Sequence, residues 1–296
     1  MEFLNYVGPG LAVGLAGIGV AIGQGILAKK AMEVMGKNPT QATFYLTVTI
    51  LGIALVESAV IYGLVVAFQL LSADAIGLYS SMGAGLAIGL AGLGAGIGEG
   101  MLIAGALGAM DRNPAIKGKI MTFMVLFVAL VEVTAIYGLI IAFNIIGENT
   151  ENMVHLGAGL AIGLAGVGVA IGRGYLAERS LKVMGLNPSM ISFFLTVSIL
   201  GVALVESAAI YALIVAFSIM GAEGLAGVAA IGAGIGIGLA GLGAGVGEGL
   251  LVKGAMSAMN KSPESKGKIM AFMVLFVALI EVVAIYGLII AFRMIG

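Results

Sequence analysis

The chain has no cysteine, no tryptophan and a single histidine; only 5 of its 296 residues are proline and only 10% are charged. Without cysteine there is no disulfide framework, no thiolate metal site and no thiol redox chemistry. One imidazole, His155, cannot by itself build a histidine metal centre. The formal net charge of −1 provides no basic field to recruit nucleic acid. So little charge also excludes an ordinary soluble globule, in which roughly a quarter of residues are charged. What fills the chain is apolar. Hydrophobic residues make up 61% of it, the mean hydropathy is +1.18, and there are 49 glycines with no collagen-like period.

A hydrocarbon core of about 30 Å needs about 20 apolar residues per helix. Eight stretches qualify, near 7–28, 42–71, 82–110, 120–147, 154–177, 190–220, 227–252 and 269–295. The first has no basic segment before it, so a permanent helix is expected rather than a cleaved signal. The stretches repeat. GLAVGLAGIGVAIGQG at 10–25 returns as GLAIGLAGVGVAIGRG at 159–174, and LTVTILGIALVESAVIYGLVVAF at 46–68 as LTVSILGVALVESAAIYALIVAF at 195–217. The second and fourth quarters match as MVLFVALVEVTAIYGLIIAF at 124–143 and MVLFVALIEVVAIYGLIIAF at 273–292. Each quarter is a glycine-rich helix, a short polar loop and a second helix bearing one Glu and, five residues on, a Tyr. The expectation is an all-α membrane protein of eight helices in four tandem hairpins: 1–73, 74–148, 149–222 and 223–296.

Charge orients them. Lys29, Lys30, Lys37, Arg112, Lys117, Lys119, Arg179, Lys182, Lys253, Lys261, Lys266 and Lys268 lie in or beside the loops within hairpins. The links between hairpins carry Asp74, Glu148, Glu151 and Glu223 instead. The positive-inside rule then puts the intra-hairpin loops in the cytoplasm and both termini outside. Those loops carry the turn dipeptides Asn38-Pro39, Asn113-Pro114, Asn187-Pro188 and Ser262-Pro263. Their basic surface either grips a soluble partner or serves only to set topology.

Seven ionisable residues lie inside the spans: Glu57, Glu99, Glu132, Arg173, Glu206, Glu248 and Glu281. A charge at mid-bilayer costs a few kcal/mol, so each is a functional candidate. Glu57, Glu132, Glu206 and Glu281 recur 75, 74 and 75 residues apart, and 33 residues before them stand Gln24, Glu99, Arg173 and Glu248. In an antiparallel hairpin, positions equidistant from the turn share a depth, so each unit sets a carboxylate opposite a second polar group. A buried polar pair that merely locks packing is the bland alternative, and repetition at one depth argues against it.

Carboxylate, amide, hydroxyl and carbonyl oxygens are hard ligands for a hard cation. Around Glu57 the sequence offers Gln24, Ser58 and Tyr62, with Tyr62 expected to fix that carboxylate; around Glu206 it offers Ser207 and Tyr211. That set suits Na⁺ better than a bare proton. Glu132 and Glu281 are followed by Val133 and Val282 but keep Tyr137 and Tyr286, and a second carboxylate, Glu99 or Glu248, replaces the hydroxyl. Two close carboxylates cannot both stay ionised without a cation between them, so a shared proton is expected. A guanidinium accepts no hydrogen bond. Arg173 is therefore expected either to silence the third site by pairing with a Glu or to turn toward a lumen or lipid headgroups.

Small residues spaced every three to four positions, as at Gly10, Gly14, Gly17, Gly19, Gly23 and Gly25, let helices approach closely. A tightly packed inner layer follows, with bulkier second helices outside. GAGIGEG at 94–100 has the glycine spacing of a dinucleotide loop but no strand before it, so no nucleotide or other organic cofactor is expected. No nucleophile or phosphate site suggests bond-breaking chemistry, and a non-catalytic chain is expected.

Together these residues resemble the c subunit of rotary ATP synthases and the homologous proteolipid, subunit K, of V- and A-type ATPases, over essentially the whole chain, four times. The resemblance implies a membrane rotor ring of copies of the same chain in contact with lipid. It implies a stator subunit with an essential arginine facing the second-helix Glu, and a central stalk docked on the cytoplasmic loops. Ion passage would couple to ATP synthesis or hydrolysis in a separate head. In Na⁺-coupled relatives a helix-one Gln with a Glu-Ser pair and a following Tyr form the site, which maps onto Gln24, Glu57, Ser58 and Tyr62. Relatives with a second helix-one carboxylate are like Glu99 with Glu132 and Glu248 with Glu281. Arg173 departs from both patterns; if its site is silent, three ions move per four hairpins and the ion-to-ATP ratio falls. Two rivals remain: the same rotor coupled to H⁺, and a stand-alone secondary transporter or channel, which would favour broken helices or inverted repeats.

Overall fold

The structure, a computed structural model, describes residues 6–296. Nearly all of that length is α-helix: α1 (Val7–Lys37), α2 (Ala42–Val56), α3 (Ser58–Ser72), α4 (Leu78–Arg112), α5 (Lys117–Glu148), α6 (Val154–Leu186), α7 (Ile191–Gly221), α8 (Gly227–Lys261) and α9 (Lys266–Ile295). With α2 and α3 counted as one span, eight helical segments among the described residues are long and apolar enough to cross a membrane. Residues that cannot satisfy backbone N–H and C=O groups with water must do so within a helix, so apolar runs of this length settle as helices. The all-helical, four-hairpin architecture read from the repeats is the one observed, and the protein is an integral, multi-pass membrane protein.

One expectation changes. The polar loops within hairpins are not loops over most of their length. α1 continues through Lys29 and Lys30 to Lys37, and α4, α6 and α8 likewise run through their basic segments to Arg112, Leu186 and Lys261. A 31–35-residue helix extends about 50 Å at about 1.5 Å per residue, well beyond the hydrocarbon, so its polar end stands in the headgroup zone and beyond. Chain reversal is confined to single 3₁₀ turns: Pro39–Gln41, Pro114–Ile116, Pro188–Met190 and Pro263–Ser265. Proline suits the first position of such a turn because the missing N–H has no partner there anyway. Across these ends the Asn38 side chain donates to Asp111 and Asn187 donates to Asn260 at 2.8 Å, stitching neighbouring hairpins. Glu178 accepts from Lys182 and from Lys253 of the next hairpin, so part of the basic surface is neutralised internally.

α1, α4, α6 and α8 pack side by side as one row, and each hairpin's second helix backs onto it as a second row. The first row approaches backbone to backbone. A Cβ at Gly23 would collide with the Gly96 carbonyl oxygen, and one at Gly172 with that of Gly245, so only glycine fits. Not every glycine serves this inside the chain. Gly10, Gly14 and Gly25 of α1 meet nothing within 4 Å, whereas their counterparts Gly85, Gly89 and Gly100 of α4 lie against α1. At the other end of the row Gly243 of α8 is equally open, while a Cβ on its counterpart Gly168 would touch Leu242. The two ends of the row thus expose the two complementary faces that every internal junction brings together.

The links between hairpins are short and pinned. The Ala75 amide donates to Asn149 and the Tyr79 amide to Glu151, both at 3.3 Å. Buried His155 ties three elements at this end. Its Nε2 meets a Glu148 carboxylate oxygen at 2.8 Å, and its Nδ1 meets the Ser80 hydroxyl at 2.7 Å. The lone histidine is a strut, in keeping with its isolation in the sequence.

Candidate functional site

The second-helix glutamates sit near the centres of their spans, and Glu132, Glu206 and Glu281 each lie at the seam between two hairpins. Gln24 and Glu57, 33 residues apart, meet at 3.1 Å, with the amide Nε2 donating to Oε1. Arg173 and Glu206, at the same separation, form an ion pair at 3.0 Å. Glu99 and Glu248 are fully buried on α4 and α8, in electrostatic reach of Glu132 and Glu281 respectively. The hairpin geometry therefore does bring each helix-one group to its helix-two glutamate.

The tyrosines are arranged otherwise than their spacing in the sequence suggests. Tyr62 does not fix Glu57, five residues before it on the second helix. Its hydroxyl donates to Oε1 of Glu132, in the following hairpin, at 2.7 Å. Tyr137 donates to Glu206 and Tyr211 to Glu281, both at 2.6 Å. Five residues on a helix rotate the side chain by about 500°, roughly 140° away from the Glu, so the phenol leaves its own carboxylate and faces the next hairpin. Glu132, Glu206 and Glu281 are thus each served from behind by the preceding unit. Tyr286, on the fourth hairpin, is 62% exposed and makes no hydrogen bond among the described residues. Glu57, on the first, is exposed and receives no tyrosine among the described residues.

The serines face a similar choice. Ser58 Oγ donates to the Leu55 carbonyl at 2.8 Å and Ser207 Oγ to the Leu204 carbonyl at 2.9 Å, one turn back on their own helices. Val133 and Val282 occupy the corresponding positions in the other two hairpins. At Glu57 the second helix is interrupted, α2 ending at Val56 and α3 beginning at Ser58. α7, with the same Glu-Ser pair, runs straight through, and nothing in the structure explains the difference.

Arg173 is fully buried, which removes the reading that sends it to a lumen or headgroups. One guanidinium nitrogen pairs with Glu206 Oε2, and the other donates to the backbone carbonyl of Leu130 on the preceding hairpin at 2.7 Å. Backbone carbonyls such as this one are site components that no sequence motif announces. Both carboxylate oxygens of Glu99 and of Glu248 are buried with no hydrogen-bond partner. A desolvated carboxylate left this way is expensive, by several kcal/mol, unless a proton or a cation accompanies it. These orphaned oxygens have room for a proton or a hard cation as their companion. Among the described residues no three His, Cys, Asp or Glu side chains gather into a denser metal centre.

The profile of the C-subunit family of ATP synthases matches this chain four times, at residues 7–70, 82–145, 156–219 and 224–294, once per hairpin. The A-type ATP synthase subunit K of Methanocaldococcus jannaschii is 35% identical over 224 residues, which is 73% of this chain and 96% of that protein. Shorter relatives align with a single hairpin's length. The ATP synthase c subunit of Clostridium beijerinckii is 47% identical over 67 residues, 23% of this chain and 93% of its own. That of Dehalococcoides mccartyi is 49% identical over 76 residues, 26% and 96%.

Proposed function

The chain belongs to the C-subunit family of ATP synthases, and we propose that it is the ion-carrying rotor subunit of a rotary ATP synthase or ATPase, with Na⁺ as its cargo. It is a non-catalytic membrane subunit; the chemistry of ATP lies in other chains. The observation that carries the Na⁺ reading is the pair of orphaned carboxylates, Glu99 and Glu248, each beside a second carboxylate. Two negative charges in a dry seam call for a positive one, and the oxygens around them suit a hard ion. Glu99 and Glu132 hold it in one junction, Glu248 and Glu281 in another, and Gln24 with Glu57 in a third. Tyr62 and Tyr211 hold Glu132 and Glu281 in place by donating to one oxygen, leaving the other for the cargo.

Copies of this chain assemble head to tail into a ring. The open Gly10, Gly14 and Gly25 face of α1 and the open Gly243 face of α8 are the two halves of the junction repeated three times within the chain. Such a heterologous contact closes into a ring when the rotation between units divides the circle. Exposed Tyr286 then serves Glu57 of the next copy as Tyr62 serves Glu132. Because the glycine row spaces its helices more tightly than the second row, the assembly curves with the glycines inward and the glutamates outward. There they pass a stator subunit bearing an arginine, while the basic helix ends dock the central stalk on the cytoplasmic side, with both termini outside. The hairpin units 1–73, 74–148, 149–222 and 223–296 each present one second-helix carboxylate, and Glu206, already neutralised by Arg173, carries nothing. Three ions then move per four hairpins.

Proton coupling is the second reading, and it has an observation of its own: Gln24 presents its N–H rather than its oxygen to Glu57. Carbodiimide modification of the purified ring separates the two. Sodium at millimolar concentration should protect Glu57, Glu132 and Glu281 at a pH where they otherwise react; modification indifferent to sodium at all three would establish protons as the cargo.

A further inference from the structure

The three seams inside the chain are fastened differently at their basic end. Between the first and second hairpins Asn38 donates to Asp111, and the Lys117 ammonium lies over the Phe44 ring, 4.2 Å from its centroid. Between the third and fourth Asn187 donates to Asn260 at 2.8 Å, Lys266 lies over Phe193 at 5.0 Å, and Lys253 pairs with Glu178 at 3.1 Å. Between the second and third no such contact forms among the described residues. Asn113 and Gly185 occupy the clasp positions there, and glycine has no side chain to accept. Lys119 stands in place of the ring and Ile191 in place of the cation.

Cations surround a hollow at that unfastened place. A cavity of about 290 Å³ is lined by Lys30 and Lys37 of α1, by Gly108, Asp111 and Arg112 of α4, and by Lys182 of α6. α4 leaves the space open because it carries Ala104 and Gly108 where α1 has Lys29 and Glu33 and α6 has Glu178 and Lys182. A second cavity, of about 200 Å³, shares Lys30 and Lys182 with the first. Lys30 pairs with Glu33 and Lys182 with Glu178, but Lys37 and Arg112 form no ion pair or hydrogen bond among the described residues. Asp111, the one acid lining the larger hollow, already accepts from Asn38. At about 1.5 Å per residue, Lys182 stands about 14 Å along its helix from Arg173, and Lys37 and Arg112 about 20 Å from Gln24 and Glu99. Half the hydrocarbon thickness is about 15 Å, so the hollow opens at the level of the lipid headgroups.

We propose that this hollow binds a phosphate group, and that the bound phosphate fastens the second and third hairpins where no side-chain clasp does. The Arg112 guanidinium offers a planar fork that matches two phosphate oxygens, and the lysines add point charges around the rest. Lys30, Lys37 and Arg112 lie on one side of the seam and Lys182 on the other, so a single anion bridges it. Basic pockets between membrane helices at headgroup level take anionic lipid headgroups. A soluble phosphate or pyrophosphate presents the same oxygens. All the groups involved belong to one chain, and none of them is a mid-membrane carboxylate, so the site stands whichever ion those carboxylates carry.

The test uses the intact protein in lipid nanodiscs and offers the two sources of phosphate separately. In discs of phosphatidylcholine alone, pyrophosphate binding is read by isothermal titration. In discs that also contain phosphatidic acid, the lipid retained by the protein is read by native mass spectrometry. Saturable binding of at least one probe is expected, and the arm that responds names the source. Lys37→Gln with Arg112→Gln should weaken that binding by about tenfold or more, since both lost cations are unpaired and the existing ion pairs remain. Lys261→Gln with Lys268→Gln removes the same charge from the same end of the fourth hairpin and should leave binding as it was. Gly108→Glu tethers a carboxylate in the hollow and should end binding. Gly108→Ala should keep it, because a Cβ there meets only the flexible end of Lys30. In hydrogen exchange the bound probe should slow segments 109–116 and 182–190, on the two sides of the seam, and leave 256–265 unchanged. Absence of saturable binding in both arms overturns the proposal. So does an equal loss in the two double variants, which would reduce the effect to surface charge. Protection on only one side of the seam overturns the fastening.

Discussion

The hydroxyl of Tyr62 reaches from the first hairpin into the second and donates to the carboxylate of Glu132 at 2.7 Å, while Glu57, five residues before it in sequence, accepts instead from Gln24 at 3.1 Å. Glu132, Glu206 and Glu281 are each held by a tyrosine of the hairpin before, whereas Glu57 accepts from Gln24 of its own. On the proposed ring reading, assembly and ion binding are one problem for this protein.

Tyr62→Phe removes a hydrogen bond to a carboxylate, a loss of roughly 1.5–3 kcal/mol. The affinity of the Glu132 site for its ion should fall by about tenfold or more, with Glu57 unaffected. Tyr286→Phe should reverse the pattern, weakening Glu57 and sparing Glu132, but only in the assembled ring. Residue-resolved carbodiimide protection reads both.

Two glycine substitutions should separate folding from assembly. Gly172→Ala puts a methyl against the Gly245 carbonyl inside the chain, and overpacking of this kind costs about 1–3 kcal/mol or more. It should lower the thermal midpoint of the detergent-solubilised protein. Gly14→Ala meets nothing within the chain, so the monomer should fold normally while ring yield, measured by native mass spectrometry, drops.

Glu132→Gln should abolish ion transport by the reconstituted complex. Glu206→Gln should chiefly destabilise, because an unpaired buried Arg173 costs about 3–5 kcal/mol. The double variant Arg173→Gln with Glu206→Gln removes the ion pair as a unit and should restore both stability and transport. Transport lost in the double variant as fully as in Glu132→Gln would mean that Glu206 carries an ion.

His155→Phe breaks the bonds to Ser80 and Glu148 at the linker end, each a net loss of about 0.5–1.5 kcal/mol, while the Ser80 hydroxyl keeps its contacts with the Asn152 backbone. The detergent melting temperature should fall, and ion transport per assembled ring should be unchanged.

The amino-acid sequence by itself determined the number of spans, the fourfold hairpin plan, and the pairing of Gln24, Glu99, Arg173 and Glu248 with the second-helix glutamates. Hydrophobic length, repetition and antiparallel depth are one-dimensional properties, and a hairpin folds them back on themselves without further information. Sequence also showed glycine concentrated on the first helices, since close packing requires small side chains whatever the neighbour is.

Only the tertiary structure decided which hairpin each tyrosine serves and that the Leu130 carbonyl serves Arg173 of the next. Tyr62 follows Glu57 closely along the chain, yet the helical turn points the two side chains to different junctions. Leu130 acts through a backbone oxygen that carries no mark of residue type. The basic segments are helix rather than loop because a 31–35-residue helix outruns the apolar layer, and neither its polar end nor its lysines need break it. The same structure sorted the glycines into those already packed and those at Gly10, Gly14, Gly25 and Gly243 left open. Lateral neighbours are set by packing between units far apart in sequence, and no local pattern records them.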